Sequence, residues 1–176
     1  MNIFVLHLDP KTAAEQHCDK HVGKMLLETV QMLSTARQRH GLDAPYREVH
    51  TKHPCTIWAG DSVQNFKWLY QLGLSLDEQF KKRFGKQHQS GLALRECADG
   101  LDALPDNGLT QRPQAMPVEY KNDDPVTAYR QYYKAEKARF AKWERGVPSP
   151  SWWPGNTPKY ISQQQDTCDE TGHLRP

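Results

Sequence analysis

The sequence predicts a mainly α, compact single-domain helical fold with a short extended segment at its N-terminus. Three pairs of a polar residue and proline, Asp9-Pro10, His53-Pro54 and Asp124-Pro125, indicate helix starts, because a polar N-cap and a proline in the first turn favour the start of a helix. Each pair precedes a long stretch in which apolar residues recur every three or four positions, the period of a helix. The chain of 176 residues also suits one domain with a substantial core.

The first predicted element is the short apolar run from Ile3 to Leu8, an extended lead-in. Asp9 then caps a helix predicted from about Pro10 to Arg39, which ends near Gly41. One face of this helix is apolar and forms its predicted core side, with Cys18, Val22, Met25, Thr29, Met32, Leu33 and Ala36.

A second long helix is predicted to begin at His53-Pro54 and to end at about Phe84, before Gly85. A polar loop precedes it, from Asp43 to Lys52. After it, residues 91–100 are predicted to form a short helix. Residues 101–124 contain three prolines and few apolar residues, so they are predicted to form a long irregular connection, and long loops inside a domain are often functional.

The third long helix is predicted from about Pro125 to Arg145, and it combines many cations with interleaved aromatic residues. The segment that follows ends in Trp152-Trp153 and is predicted to lie back on the domain as an anchor. Residues 1–154 therefore form the predicted catalytic and DNA-binding domain, and residues 155–176 are a polar tail predicted to be disordered.

The net charge, mean hydropathy and cysteine content of the sequence exclude several classes of protein. The net charge of +2 is too small to indicate nucleic-acid binding by itself, so that inference depends on where the charges lie. A mean hydropathy of −0.84, the lack of a membrane-length apolar run and an N-terminus unlike a signal peptide predict a protein of the cytoplasm with no membrane partner. The four cysteines are widely spaced and are predicted to be reduced thiols.

A stripe of ionisable residues along the first predicted helix is the best candidate for a catalytic site. His17, His21, Lys24 and Glu28 fall at i, i+4, i+7 and i+11, on one helical face. Such a face, near a helix N-terminus, suits a phosphate, a pyrophosphate or the DNA backbone. Glu28 or Asp19 is the candidate general base and a histidine the candidate acid. The alternative is a solvated face with a Lys24–Glu28 ion pair.

The same histidine pair also suggests a metal site, with a third ligand from His7, His50, His53 or His88. The glutamate that a helical zinc-peptidase motif needs between the two histidines is absent, and Lys24 would repel a cation. The prediction is therefore that no metal and no cofactor is bound.

Two further groups of residues are candidates for contacts with DNA. Candidate phosphate contacts are Arg47, His50, His53, Lys82, Arg83, Lys86, Arg130, Lys134 and Lys137. Candidate base-stacking residues are Trp58, Trp68 and Tyr133. The alternatives are cations that favour a helix C-terminus, solvated lysines on a surface helix and aromatic residues of the core.

The lead Met-Asn-Ile-Phe-Val-Leu and the His-Cys-Asp-Lys-His motif at residues 17–21 resemble a family of small tailed-phage proteins. More distantly, the order of features resembles the phage pyrimidine dimer DNA glycosylases of the endonuclease V type. The similar points are Ala14-Glu15-Gln16-His17, Tyr46-Arg47, His53-Pro54 and Arg83-Phe84-Gly85. This likeness covers residues 3–85. It implies a compact helical fold that binds double-stranded DNA and flips out a nucleotide, with the N-terminal amine as nucleophile and a glutamate on the first helix.

The chain departs from that glycosylase pattern at two places. Asn2 disfavours removal of Met1, and the family's glutamate falls near Lys24 when His17 is aligned, a full turn from Glu28. The cationic stripe and the phage context instead suggest a hypermodification transferase, which replaces pyrophosphate on a 5-hydroxymethyl pyrimidine with a small amine or an amino acid. Glycosylase-like base excision remains open. The alternatives are a non-catalytic phage protein that binds DNA or a host factor, and a metal-dependent hydrolase.

Overall fold

The computed structural model describes residues 1–154, and these residues form an extended N-terminal segment followed by helices with no β-strand. The α-helices are α1 (Pro10–Gln16), α2 (Asp19–Arg39), α3 (Pro54–Asp61), α4 (Val63–Phe84), α5 (Gln89–Ala93) and α6 (Pro125–Lys137). Short 3₁₀ turns occur at Leu94–Cys97, Leu101–Ala103 and Val118–Tyr120. The predicted mainly α class is confirmed. The predicted tail lies outside the described residues.

The prediction of one continuous helix from Pro10 to Arg39 is wrong, because the chain is extended at His17 and Cys18, with ψ values of 138° and 159°. Long-range hydrogen bonds hold this break. The Cys18 amide donates to the Tyr133 hydroxyl at 3.1 Å, and the Asp19 amide donates to the Lys142 carbonyl at 2.9 Å. Amides that start α2 are therefore satisfied by the C-terminal third of the described chain.

The predicted second helix is also divided, because Ser62 adopts an extended backbone between α3 and α4. The Ser62 hydroxyl caps α4 through the Gln64 amide and donates to the Gly108 carbonyl, while the Val63 amide donates to the Pro105 carbonyl. Residues 105–108 of the predicted long connection thus fix the break.

The third predicted helix ends early, at Lys137 rather than Arg145. Residues 138–145 turn away from the α6 axis and lie across the start of α2, where the Asp19 carboxylate accepts the Glu144 amide at 2.8 Å. This turn moves Arg139 and Phe140 off the predicted helix.

The core lies between α2, α3 and α4, and the N-terminal segment runs through it. Ile3, Val5 and Leu6 are fully buried. The paired tryptophans pack back on the domain, with ring centroids 6.0 and 6.2 Å from that of Tyr133, and Trp152 Nε1 donates to Gln16 at 2.7 Å. Their predicted anchoring role is confirmed. None of the helices in residues 1–154 has the length and apolar character needed to cross a membrane.

Candidate functional site: a cation-lined pocket on α2

An open pocket of about 390 Å³ lies beside the N-terminal half of α2. Its lining comes from two elements: Lys20, His21 and Lys24 from α2, and Arg139 and Phe140 from the segment after α6. This lining contains three permanent cations, a histidine and an aromatic ring, and no carboxylate. Such a pocket is suited to an anion.

The aromatic ring of Phe140 holds two of these cations at the pocket. Lys20 Nζ lies 4.9 Å from its ring centroid, and the Arg139 guanidinium carbon lies 5.9 Å from it. Contacts of this kind stabilise exposed cations by about 0.5–1 kcal/mol. Sequence analysis assigned Arg139 and Phe140 to a helix, and only the turn after Lys137 brings them to α2.

His21 forms the inner wall of the pocket and is only 4% exposed. Its ring lies 4.8 Å from that of Phe4 and 5.2 Å from those of Tyr133 and Phe140. Within residues 1–154, its Nδ1 has no hydrogen-bond partner. Burial, reinforced by nearby cations, lowers the pKa of His21 to about 3. The imidazole is therefore neutral at physiological pH and offers one N–H donor and one lone pair.

Phe4, which stacks on His21, has an unusual backbone conformation. Its φ is +38°, a value that bulky residues rarely adopt. Its ring is nearly parallel to that of Tyr132, at 6.1 Å, and Lys137 Nζ lies 5.8 Å above it. Non-glycine residues held in such conformations cluster at binding and active sites.

Glu28 lies one helical turn beyond Lys24, outside the residues that line the pocket. Its carboxylate accepts the Asn2 amide at 2.8 Å and lies 3.8 Å from Lys24 Nζ. The α-amino group of Met1 is 3.9 Å from the same carboxylate. The predicted Lys24–Glu28 pair is confirmed, with a Glu28 side chain that is 12% exposed and a Lys24 side chain that is 61% exposed.

His17 does not belong to the stripe on α2. It is fully buried in the break between α1 and α2, its Nδ1 is 2.7 Å from the Ala13 carbonyl oxygen, and burial lowers its pKa to about 4. The predicted arrangement of His17 and His21 four apart on one helix is therefore wrong, since the two residues lie on either side of the break. Across residues 1–154, no group of three or more His, Cys, Asp or Glu side chains is placed to hold a metal ion.

Asp19 and Arg83 form a buried pair that supports the break. Arg83 is 5% exposed, and its Nη1 donates to the Asp19 carboxylate at 3.2 Å and to the His17 carbonyl at 2.7 Å. The structure thus places Arg83, a candidate phosphate contact, in the interior, and Asp19, a candidate base, in this network. Desolvation by burial lowers the pKa of Arg83.

The other candidate phosphate contacts are dispersed. Lys82, Lys86 and Lys134 are exposed. Arg130 donates to the Leu6 carbonyl at 2.9 Å, and Lys137 Nζ donates to the Tyr132 hydroxyl at 3.2 Å.

The loop before α3 runs back along α2 and brings a second set of candidates near Glu28. Exposed Arg47 lines a separate pocket with Leu27 and Gln31 of α2. His50 is exposed, and half-buried His53 caps α3 by accepting the Cys55 amide. These residues are not part of the cation-lined pocket.

The three candidate stacking residues are all buried. Trp58 and Trp68 are 5% and 7% exposed and pack edge to face at 6.0 Å, and Tyr133 is completely buried. In this structure they are core residues, which was the alternative interpretation of their spacing. Two half-buried aromatic residues, Tyr132 and Phe140, lie against Lys137 and Lys20, respectively.

The protein is helical, and its cation-lined pocket includes Lys24, which pairs with Glu28. Comparison with protein-family models, with curated proteins and with solved structures gives no match. The phage family, the endonuclease V likeness and the cytoplasmic location therefore stay predictions.

Proposed function

We propose that the protein is a DNA base-modifying transferase. Its substrate is a flipped pyrimidine that carries a pyrophosphate on its 5-hydroxymethyl group, and its co-substrate is a small amine or an amino acid. The observation that carries this proposal is the contact of Glu28, a carboxylate, with Lys24, one of the cations that line the pocket. A base thus lies beside a site for an anionic leaving group.

In the proposed reaction, the amine nitrogen attacks the 5-methylene carbon, and the bond from that carbon to the pyrophosphate oxygen breaks. The ammonium that forms gives its proton to Glu28, and pyrophosphate leaves with the bonding electron pair. Lys20, Lys24 and Arg139 stabilise the charge that develops on the leaving oxygen. Neutral His21 supplies a hydrogen bond rather than a charge.

The DNA duplex is proposed to contact the surface around this pocket. A base must leave the stack before its 5-substituent can reach a reactive side chain. The proposed phosphate contacts are two lysines of α6: half-buried Lys137, which lies over Phe4 and Tyr132, and exposed Lys134, which lies over Trp152.

Glycosylase-like base excision is a second candidate, and one specific contact favours it. The α-amino group of Met1 lies 3.9 Å from Glu28. In a mature chain whose N-terminus is Met1, that amine is a candidate nucleophile for the sugar carbon, with Glu28 to accept protons. The two candidates use the same carboxylate and differ in the bond that breaks.

The test is the intact mass of duplex oligonucleotides after incubation with the protein. Substrates contain a 5-hydroxymethyl, a pyrophosphorylated 5-hydroxymethyl or a UV-damaged pyrimidine, with amino acids and polyamines supplied. Loss of pyrophosphate with gain of one amine supports the transferase. Base loss or strand scission supports excision instead. Unchanged masses on every substrate, with duplex binding retained, would reject both enzymes in favour of a DNA-binding protein.

A matched pair of variants tests the role of Glu28. Glu28→Gln keeps an oxygen that accepts the Asn2 amide but removes the base, so turnover should fall by about 10²–10⁴-fold with little change in melting temperature. Glu15→Gln, at an exposed glutamate on α1, is the control and should retain activity. Equal activity of the two variants would contradict the role of Glu28.

A further inference from the structure

We propose that the cation-lined pocket binds free inorganic pyrophosphate directly, without a divalent metal ion. The displaced leaving group then stays bound as a product inhibitor. This inference rests on the proposed function, which it deepens by naming how the leaving group is recognised. It is carried by the composition of the pocket and by the pairing of the acidic residues around it.

Recognition of pyrophosphate through Mg²⁺ normally requires carboxylates that hold the metal. The pocket lining contains none. The two nearest acidic residues of α2 are already engaged: Glu28 with Lys24 and the Asn2 amide, and Asp19 with Arg83 and the Glu144 amide. The side-chain cations must therefore neutralise the anion themselves.

The cations come from two elements and face the same space. Lys20 and Lys24 are one turn apart on α2, and Arg139 approaches from the segment after α6. Lysine acts as a mobile point charge, whereas arginine binds two phosphate oxygens at once through its planar fork. Two lysines and one arginine thus match two linked phosphates better than a single phosphate.

His21 supplies the polar group of the inner wall of the pocket. Its imidazole is buried and lines the pocket, and its Nδ1 is closed to solvent and has no hydrogen-bond partner in the described part of the chain. A ligand in the pocket does not reach Nδ1, so we infer that a phosphate oxygen bound there pairs with the other ring nitrogen, Nε2.

The experiment is calorimetric titration of the full chain with sodium pyrophosphate in EDTA. We expect one site, weaker binding of orthophosphate, and no gain in affinity when Mg²⁺ replaces EDTA. Arg139→Gln should raise Kd by about tenfold or more, the effect of losing a charge-assisted hydrogen bond. Both Arg139 and its control, Arg145, are exposed, and Arg145 stacks on Phe84 instead. Arg145→Gln should leave Kd unchanged.

Three results would overturn the proposal: binding only with Mg²⁺, equal effects of Arg139→Gln and Arg145→Gln, or no binding at all. Its failure is separable from that of the proposed function. Pyrophosphate binding in EDTA by a protein that leaves every oligonucleotide unchanged supports the pocket and rejects the transferase. Amine transfer by a protein that binds no free pyrophosphate supports the transferase and rejects the pocket.

Discussion

A buried imidazole surrounded by cations stays neutral, and His21 is such a group. Lys24 and Lys137 add to the effect of burial in lowering its pKa to about 3. A cationic histidine would add positive charge to the pocket. A neutral histidine instead orients a ligand, because it donates one hydrogen bond along a fixed direction. The histidine of the predicted stripe is thus better suited to orient a phosphate than to neutralise it.

Stability should fall on acidification because of His17 and His21. Their pKa values in the folded state are lowered to about 4 and about 3, from 6.5 in an unfolded chain. Below about pH 6.5 the unfolded state binds more protons than the folded state, so the free energy of unfolding decreases as pH falls towards 4. Above pH 6.5 both states are neutral and this effect vanishes. His17 and His21 together contribute a slope of up to about 2.7 kcal/mol per pH unit, and the pKa values of His53 and His88, which burial also lowers, act in the same direction.

Urea denaturation at intervals from pH 4.5 to 7.5 measures this slope. His17→Gln should remove about half of the slope, and His50→Gln, at an exposed histidine, should leave it unchanged. The lowered pKa values of the Asp9 and Asp124 carboxyls affect stability only at lower pH. Equal stability at pH 4.5 and pH 7.5 would show that these imidazoles are not buried as described.

Among the secondary-structure elements, α4 also supports the break between α1 and α2, through the side chain of Arg83. The Arg83 guanidinium donates to the carbonyls of Glu15 and His17, at 2.9 and 2.7 Å, and to the side chains of Gln79 and Asp19. It therefore satisfies carbonyl groups that the end of α1 leaves without helical partners. The end of α4 and the start of α2 are held together by this network.

Arg83→Ala should lower the free energy of unfolding by about 3–5 kcal/mol, because it leaves Asp19 and two buried carbonyl groups without their donor. The adjacent variant Lys82→Ala, at an exposed position, should change it by less than about 0.5 kcal/mol. Chemical denaturation of both variants checks the difference. Similar values for the pair would mean that solvent replaces the guanidinium at the break.

The helix boundaries that the sequence predicts correctly are those that local interactions determine. Asp9 accepts a hydrogen bond from the Thr12 amide, and Asp124 accepts hydrogen bonds from the amides of Val126 and Thr127. Each helix start is therefore determined by residues no more than three positions apart. The breaks are different. Cys18 bonds to Tyr133 and Ser62 to Gly108, and no local pattern reports a partner more than forty residues away.

The residues of the candidate site also differ in whether local or long-range interactions place them. Lys24 and Glu28 are one turn apart on a helix, so their pairing was predictable. Arg139 and Phe140 reach the pocket only because α6 ends at Lys137 and the chain turns across α2. The position of His17 outside the site was not predictable either. The apolar period of the sequence continues through the break between α1 and α2, so the period does not reveal that break.

At the scale of the whole molecule, a net charge of +2 conceals a local concentration of cations. Lys20, Lys24 and Arg139 line the pocket, whose lining contains no carboxylate, and α6 adds Lys134 and Lys137. Proteins that neutralise DNA phosphates release counterions, which makes binding weaken steeply with salt. The overall charge is therefore a poor guide to DNA binding here, and the salt dependence is a better one.

Duplex binding should weaken with increasing salt, and the double variant Lys134→Ala, Lys137→Ala should reduce the slope of log K against log salt by about 2, or about one unit per phosphate contact. Fluorescence anisotropy with a labelled duplex at several salt concentrations measures the slope. Lys67→Ala, at an exposed lysine of α4 outside the pocket, is the control. Binding that does not change with salt would argue against a DNA partner.

The closure of the α1–α2 break has a consequence for the order of folding. Cys18 is hydrogen-bonded to Tyr133, Asp19 to Glu144 and Gln16 to Trp152. The partners in these contacts are 115 to 136 positions apart in the sequence. Local helices form early, while pairings so distant in sequence form late. During synthesis, α2 can therefore coil soon after it emerges, but its N-terminal amides and the pocket wall gain their partners only when nearly all of residues 1–154 have been translated. A nascent chain that is halted before Trp152 should therefore contain helical structure but lack a complete site.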